Sequence, residues 1–249
     1  MISLQNKKIL VTREKSAAEK FAELITTFDG VPFQTPLLKI NCVSFSEQIK
    51  HHLELNKYSW IFFTSKNGVD CFFRQGISVA NCRIAAVGPK TQQAIEAYGY
   101  HVDFIPSVYH AKTMAQEFLE MYEDAGTILF VRGNLSRDVL LEEFTKANRE
   151  YECVVVYETV PNQAGKQQLQ HTLQTEQIDY ITFTSPSTID AFIELTNEDK
   201  TNYESTVVCI GTTTEQKAKE VGFSNIITPE NFTIEGMLEE IHKHLQKKR

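Results

Sequence analysis

One phrase, written twice, constrains this chain more than anything else in it. Trp60–Phe73 reads WIFFTSKNGVDCFF and Tyr180–Ile193 reads YITFTSPSTIDAFI; at a spacing of 120 residues, Ile, Phe, Thr, Ser, Asp and Phe recur in register. In each copy an apolar, β-prone run meets Thr-Ser and passes straight into an apolar stripe of helical period. That pattern predicts a strand whose carboxyl end turns at once into a helix. The first turn of a helix leaves its backbone N–H groups without intrahelical partners, so such a corner can hold an anion.

The rest of the chain is arranged around these phrases. Lys7–Thr12 reads as a short buried strand, followed by a helix opened by the capping-box pattern of Ser16 and Glu19 and stopped by Gly30. Val31–Val43 is extended but broken by Pro32 and Pro36, which suits a crossing between domains better than a central strand. A helix near Ser46–Leu55 precedes the first Thr-Ser phrase. A strand at Cys82–Val87, a helix at Pro89–Tyr98, a strand at His101–Ile105 and a helix at Lys112–Tyr122 follow it.

Ile128–Arg132 (ILFVR) then resembles Ile9–Arg13 (ILVTR), with a helix at Leu135–Lys146 and a β-type run over Tyr151–Val160. A polar helix at Gln163–Gln174 leads into the second Thr-Ser phrase. Val207–Gly211 and the helix Thr212–Val221 repeat the earlier strand-glycine-helix, Gly211 to Gly222 matching Gly88 to Gly99. Ile226–Pro229 and an amphipathic helix from Thr233, ending in the basic turn KHLQKKR, close the chain.

The order is A-B-A′-B′ with strand and helix alternating. It predicts an α/β protein with parallel sheets covered on both faces and ligands beyond the carboxyl ends of the strands. Two such sheets imply two lobes and a cleft; the repeat alone leaves open which A joins which B.

Length and charge narrow the function. The 249 residues suffice for one large or two ordinary domains, and a net charge of −7 argues against a nucleic-acid surface. The start, MISLQNKK, has no apolar leader and no run approaches membrane-spanning length, so the expectation is a cytoplasmic protein without membrane contact. Five cysteines, odd in number and without CxxC spacing, are expected as buried reduced thiols rather than disulfides or a metal site.

Candidate ligand-facing residues are those that follow strands: Thr12 and Arg13; Thr64, Ser65, Lys66 and Asn67; Gly88 and Thr91; Arg132 and Gly133; Thr184 and Ser185; Gly211, Thr213 and Thr214. Taken singly, each Ser or Thr could be a plain helix cap and each Gly a tight turn. No GxGxxG, Walker, HExxH or GxSxG pattern is present, which leaves a nucleotide cofactor, a metal and a serine nucleophile unsupported. Tyr157 differs from the rest: it lies in VVVYETV, where two lobes would join, and a phenol there can donate a proton or a hydrogen bond.

Together, VTRE, FTSKNGV, AAVGPKT, VVVYETV, TFTSPSTIDAF and CIGTTT resemble the uroporphyrinogen-III synthase family over nearly the whole chain. The resemblance implies two flavodoxin-like lobes joined by a two-stranded β-ladder. Lobe one would be residues 1–35 and 161–249, lobe two 42–150, and the connecting strands 36–41 and 151–160.

It also implies closure of the linear tetrapyrrole hydroxymethylbilane with loss of water and inversion of ring D, through an azafulvene and a spiro intermediate, with no cofactor. Tyr157 matches the tyrosine proposed to assist departure of the hydroxyl. Thr91, Thr213, Thr214, Ser65 and Ser185 match the threonines and serines of the corners, and Arg13 could pair with a carboxylate. Gly-Thr-Thr-Thr at Gly211 stands where many relatives carry Gly-Pro-Thr-Thr. A monomer is the default, and transient contact with hydroxymethylbilane synthase stays open. Two rivals share the two-lobed pattern: a non-catalytic binding or sensor module for an anionic small molecule, and a nucleotide-sugar transferase. The symmetry of the corners speaks against the second.

Overall fold

A computed structural model describes residues 2–54, 58–79, 81–196 and 204–247. The elements in order are β1 (Lys8–Val11), α1 (Lys15–Thr27), β2 (Val31–Gln34), β3 (Leu38–Cys42), α2 (Glu47–Glu54), β4 (Trp60–Phe63), α3 (Lys66–Phe73), β5 (Arg83–Ala86), α4 (Pro89–Ala97) and α5 (Ala111–Met121). After them come β6 (Ile128–Gly133), α6 (Val139–Lys146), β7 (Tyr151–Pro161), α7 (Lys166–Thr175), β8 (Tyr180–Phe183), α8 (Pro186–Thr196), β9 (Thr206–Cys209), α9 (Thr212–Glu220), β10 (Ile226–Ile227) and α10 (Ile234–Lys247). The chain divides into two compact units: Met1–Lys39 with Val160–Arg249, here unit 1, and Ile40–Thr159, here unit 2.

Unit 1 holds a sheet of order β10-β9-β8-β1-β2 with every ladder parallel. The winding direction reverses between β1 and β8, and in open α/β sheets such a switch point is where ligands bind. Both faces are covered. Leu10, Ile181, Phe183 and Val207 pack with Ile189 and Phe192 on one side, while Ile9, Val11, Tyr180 and Val208 meet Phe21, Met237 and Ile241 on the other. Double coverage explains why these strands read as unbroken apolar runs.

The sheet that contains unit 2's strands has the order β3-β7-β6-β4-β5, with its switch between β6 and β4. Ile61, Phe63, Leu129 and Val131 face Val69, Phe72 and Ile95, whereas Trp60, Phe62 and Phe130 face Phe118 and Phe144. The aromatic edges meet at ring-centroid distances such as 4.9 Å for Trp60–Phe118 and 4.8 Å for Phe62–Phe118.

Several expectations change in detail. The α1 cap is Glu14, whose carboxylate accepts from the Ala17 N–H, and Ser16 lies inside the helix. The run broken by prolines is used twice: Val31–Gln34 becomes the parallel edge strand β2, where Pro32 costs no inner ladder bond, and only β3 lies where the units divide. His101–Ile105 yields a single bridge between Phe104 and Ala85. The helix expected from Leu135 starts at Val139, after a polar loop. The expected helix end at Leu55 and the last two residues of the basic tail lie outside the described residues.

The cysteine expectation is corrected more sharply. Cys42, at the end of β3, forms a disulfide with Cys71 of α3, their Cα atoms 5.2 Å apart. Cys82, Cys153 and Cys209 are free, and Cys153 is exposed. The spacing of 29 residues carried no signal because the fold, not the local sequence, brings β3 beside α3. Burial pushes the Cys209 thiol up to about 12 and raises that of Cys82, which leaves both as packing residues.

Candidate functional site

In unit 2 a group of polar side chains follows the carboxyl ends of β6 and β4. The register of β7 against β6 shifts between Arg132 and Gly133, so that Gly133 comes opposite Tyr157. The Asn134 N–H donates to the Tyr157 carbonyl at 3.1 Å and fixes the backbone there. The phenol end of the ring lies against the glycine: a Cβ at Gly133 would stand 2.4 Å from ring atoms Cε2 and Cζ of Tyr157.

The phenol oxygen reaches 3.2 Å from Ser65 Oγ. Ser65 is the N-cap of α3, and its Oγ accepts from the Gly68 N–H at 3.0 Å. A hydroxyl that already accepts from a backbone N–H still has its own hydrogen to give. Directed at the phenol oxygen, that hydrogen leaves the phenol proton free to point away.

Arg132 is held by its own loop, with an ion pair to Asp138 at 2.7 Å and a hydrogen bond to the Ser136 carbonyl. The Gly133 N–H donates to Ser136 Oγ at 3.0 Å. Thr64, Arg132, Ser136 and Arg137 line a small cavity beside this corner. Lys66 and Asn67 are exposed in the first turn of α3. The α4 helix opens at Gly88 with Pro89 in its first turn and no side-chain cap, and Thr91 is buried behind it, its N–H on the Gly88 carbonyl at 3.0 Å.

Unit 1 repeats the layout with different side chains. Ser185 sits at the start of α8, accepting from the Thr188 N–H at 3.3 Å and sharing a hydrogen bond with Ser187 Oγ at 2.9 Å. Thr12 is fully buried and its hydroxyl donates to the Thr182 carbonyl at 2.6 Å, so it ties β1 to β8. Arg13 and Thr184 are half-buried at the strand ends. Gly211 opens α9 without a side-chain cap; Thr212 and Thr213 are exposed in that first turn and Thr214 is buried. Gly-Thr therefore enters this helix where Gly-Pro enters α4, with an extra N–H available.

Within each unit the expected residues fall at strand-to-helix corners. Tyr157, Ser65 and Gly133 are in contact, and Thr64 shares a cavity with Arg132. Sequence reasoning missed Asn134, Ser136 and Asp138, which organise the loop after β6; the polar run NLSRD directly after a strand was the available signal. A cavity of about 540 Å³ in unit 1 lies at the opposite, amino ends of β1, β8 and β9 around Lys7 and Asp179. Those two side chains already pair at 2.7 Å, and none of the corner residues lines it. Among the described residues no group of three or more His, Cys, Asp or Glu side chains is placed to hold a metal ion, and no helix is long and apolar enough to cross a membrane.

Comparison with known proteins points to one family. The family model described as uroporphyrinogen-III synthase HemD matches residues 19–239. The porphyrin biosynthesis protein HemD of Ruminiclostridium josui is 27% identical over 94% of this chain, which spans 48% of that protein's length. The uroporphyrinogen-III synthase of Chlorobaculum parvum is 28% identical, covering 91% of this chain and 94% of its own. Among solved structures, uroporphyrinogen-III synthetase of Helicobacter pylori 26695 superposes with a TM-score of 0.65 at 16% identity, over 98% of this chain and 100% of that one, and shares its fold. On the strength of a match that spans residues 19–239, this chain belongs to the uroporphyrinogen-III synthase family.

Proposed function

We propose that this protein is a cofactor-free, cyclising hydro-lyase that closes hydroxymethylbilane to uroporphyrinogen III in tetrapyrrole biosynthesis, with Tyr157 as its proton donor. Tyr157 gives its proton to the hydroxyl of the terminal hydroxymethyl group, the C–O bond breaks with electrons from the pyrrole, and water leaves. The phenolate recovers a proton when the attacking ring regains aromaticity. Net loss is one water, which needs no oxidant or reductant.

The observation that carries this reading is the phenol fixed between Gly133 and the Ser65 cap at the amino end of α3. The substrate's carboxylates suit the uncapped first turns of α4 and α9 and the hydroxyls at Ser65, Ser185 and Thr213. Each exposed helix end contributes only ~0.3–1 kcal/mol, so several must act together. Two α/β lobes joined through β3 and β7, acting as a monomer in the cytoplasm on a small-molecule substrate, complete the proposal. Hydroxymethylbilane synthase is the transient partner it admits.

Closure without catalysis gives the non-inverted isomer, so product identity is itself a readout. Wild-type protein should convert hydroxymethylbilane to type III product. Tyr157→Phe should lower kcat by about 100-fold, the low end of general-acid contributions, while leaving the unfolding midpoint near wild type. Wild-type rates in the phenylalanine variant would remove Tyr157 from the chemistry; type I product alone from the wild-type protein would favour the binding-module reading.

A further inference from the structure

Tyr109 and Phe232 are large aromatic residues left 61% and 56% exposed, and each unit contributes one. They occupy the same place in the repeat. Each follows the helix-opening glycine by 21 residues, Gly88 to Tyr109 and Gly211 to Phe232. Each also stands one residue before the cap of the next helix, His110 for α5 and Thr233 for α10. Both side chains lie on that glycine: a Cβ at Gly88 would come 3.1 Å from Tyr109 Cβ and 3.2 Å from its Cγ, and one at Gly211 would come 3.2 Å from Phe232 Cγ.

The ordinary use of an apolar residue before a helix cap is a staple onto the fourth helical residue. Those residues, Met114 and Met237, are completely buried in the core clusters, while Tyr109 and Phe232 stay more than half open to solvent. A staple explains the backbone position but not the exposed face. The two helices beside these aromatics, α4 and α9, are also ones whose opening residue provides no side-chain hydrogen bond, unlike α3 and α5. An open aromatic surface next to uncapped backbone N–H groups matches a planar, electron-rich ring carrying a carboxylate arm.

We propose that Tyr109 and Phe232 are substrate-positioning residues, each offering its face to one pyrrole ring of the linear tetrapyrrole. This rests on the function proposed above and adds to it the residues that read the rings rather than their acid groups. Because neither residue carries the proton transfer, their loss should weaken binding and leave the chemical step nearly intact.

The test is steady-state kinetics on hydroxymethylbilane with product isomers separated. Tyr109→Ala and Phe232→Ala should each raise KM by about tenfold, the scale of one ring stacked on an aromatic side chain, with kcat within about twofold of wild type. Tyr109→Phe keeps the ring face and should restore most of the affinity. Met121→Ala, which removes a side chain 63% exposed elsewhere in unit 2, should leave KM unchanged. Far-UV circular dichroism and Trp60 fluorescence check that each variant is folded. Unchanged KM in both alanine variants, with type III product still formed, would overturn the positioning role alone. Type I product from the wild-type protein would overturn the function and this inference together.

Discussion

The two switch-point corners share a sequence phrase and a backbone plan, yet only one of them brings a phenol to its helix cap. In unit 2 the strand beside β6 delivers Tyr157 to a glycine and to the cap of α3. In unit 1 the strand register, Ile9 opposite Pro32 as Ile128 is opposite Tyr151, puts Leu38 at the equivalent place, partly buried against the core. Ser65 touches a phenol, whereas Ser185 touches another serine. Duplication can preserve caps and anion-ready helix ends in both halves, because those depend on backbone. The phenol of Tyr157 is a side chain with no counterpart in unit 1, where Leu38 takes the equivalent place, so the proposed proton transfer is confined to one corner.

The largest stability difference between the units should come from the disulfide, which lies wholly in unit 2. A cross-link closing 29 residues removes roughly 3–4 kcal/mol of loop entropy from the unfolded chain. Trp60, the single tryptophan, is buried in unit 2, so its fluorescence follows that unit alone. Reductant or Cys42→Ser should move the fluorescence transition in urea to lower concentration. Identical fluorescence midpoints with and without reductant would show that the bridge contributes nothing in solution.

Gly133→Ala should act next most strongly, and on activity and stability at once. The new Cβ would meet the Tyr157 ring at 2.4 Å, so the ring or the bulge must shift. Overpacking of this kind costs about 1–3 kcal/mol, and displacing the phenol should reduce kcat toward that of Tyr157→Phe. In the double variant Gly133→Ala/Tyr157→Phe the two kcat losses should be far from additive. Simple multiplication of the two effects would mean the glycine does not act through the tyrosine.

Ser65→Ala and Ser185→Ala then form a matched pair. Each removes a helix cap and should cost about 1 kcal/mol of stability. Ser65→Ala also removes the hydrogen bond to Tyr157 and should lower kcat by about tenfold, while Ser185→Ala should show itself in KM. Equal effects on kcat would erase the functional difference between the corners.

Much of this layout could be read from the sequence. The Thr-Ser phrases, the strand-glycine-helix repeats and the alternation of elements gave the parallel α/β class and the places where strands end. These depend on local periodicity and on turn residues. What stayed hidden depends on which strands become neighbours. The Cys42–Cys71 bridge, the seat of Tyr157 on Gly133 and the commitment of Thr12 to Thr182 all join residues far apart in the chain. His101–Ile105 had strand composition but sits beyond β5 with only Phe104 bridged, where no further strand stabilises it.

The smallest expected effect concerns the amino ends of the strands, opposite the corners, and it separates the units by pH. Burial, with a lesser contribution from the Asp179 carboxylate, raises the phenol of Tyr180 in unit 1 to about 12. Its ordinary value is near 10. Between these values the unfolded chain releases a proton that the folded unit retains, so stability falls as pH rises through that window and is fully present below it. Tyr180 also shares a 3.0 Å hydrogen bond with His244 Nδ1, which Tyr180→Phe would remove at every pH. The variant should therefore be less stable at neutral pH yet lose less between pH ~10 and ~12 than wild type, measured by the far-UV thermal midpoint. Tyr58 in unit 2 is also raised, by burial first and by its bond to Glu152 second, so alkaline loss of the Trp60 signal should persist in that variant. Parallel curves for variant and wild type would mean that Tyr180 ionises as freely in the folded unit as in the unfolded chain.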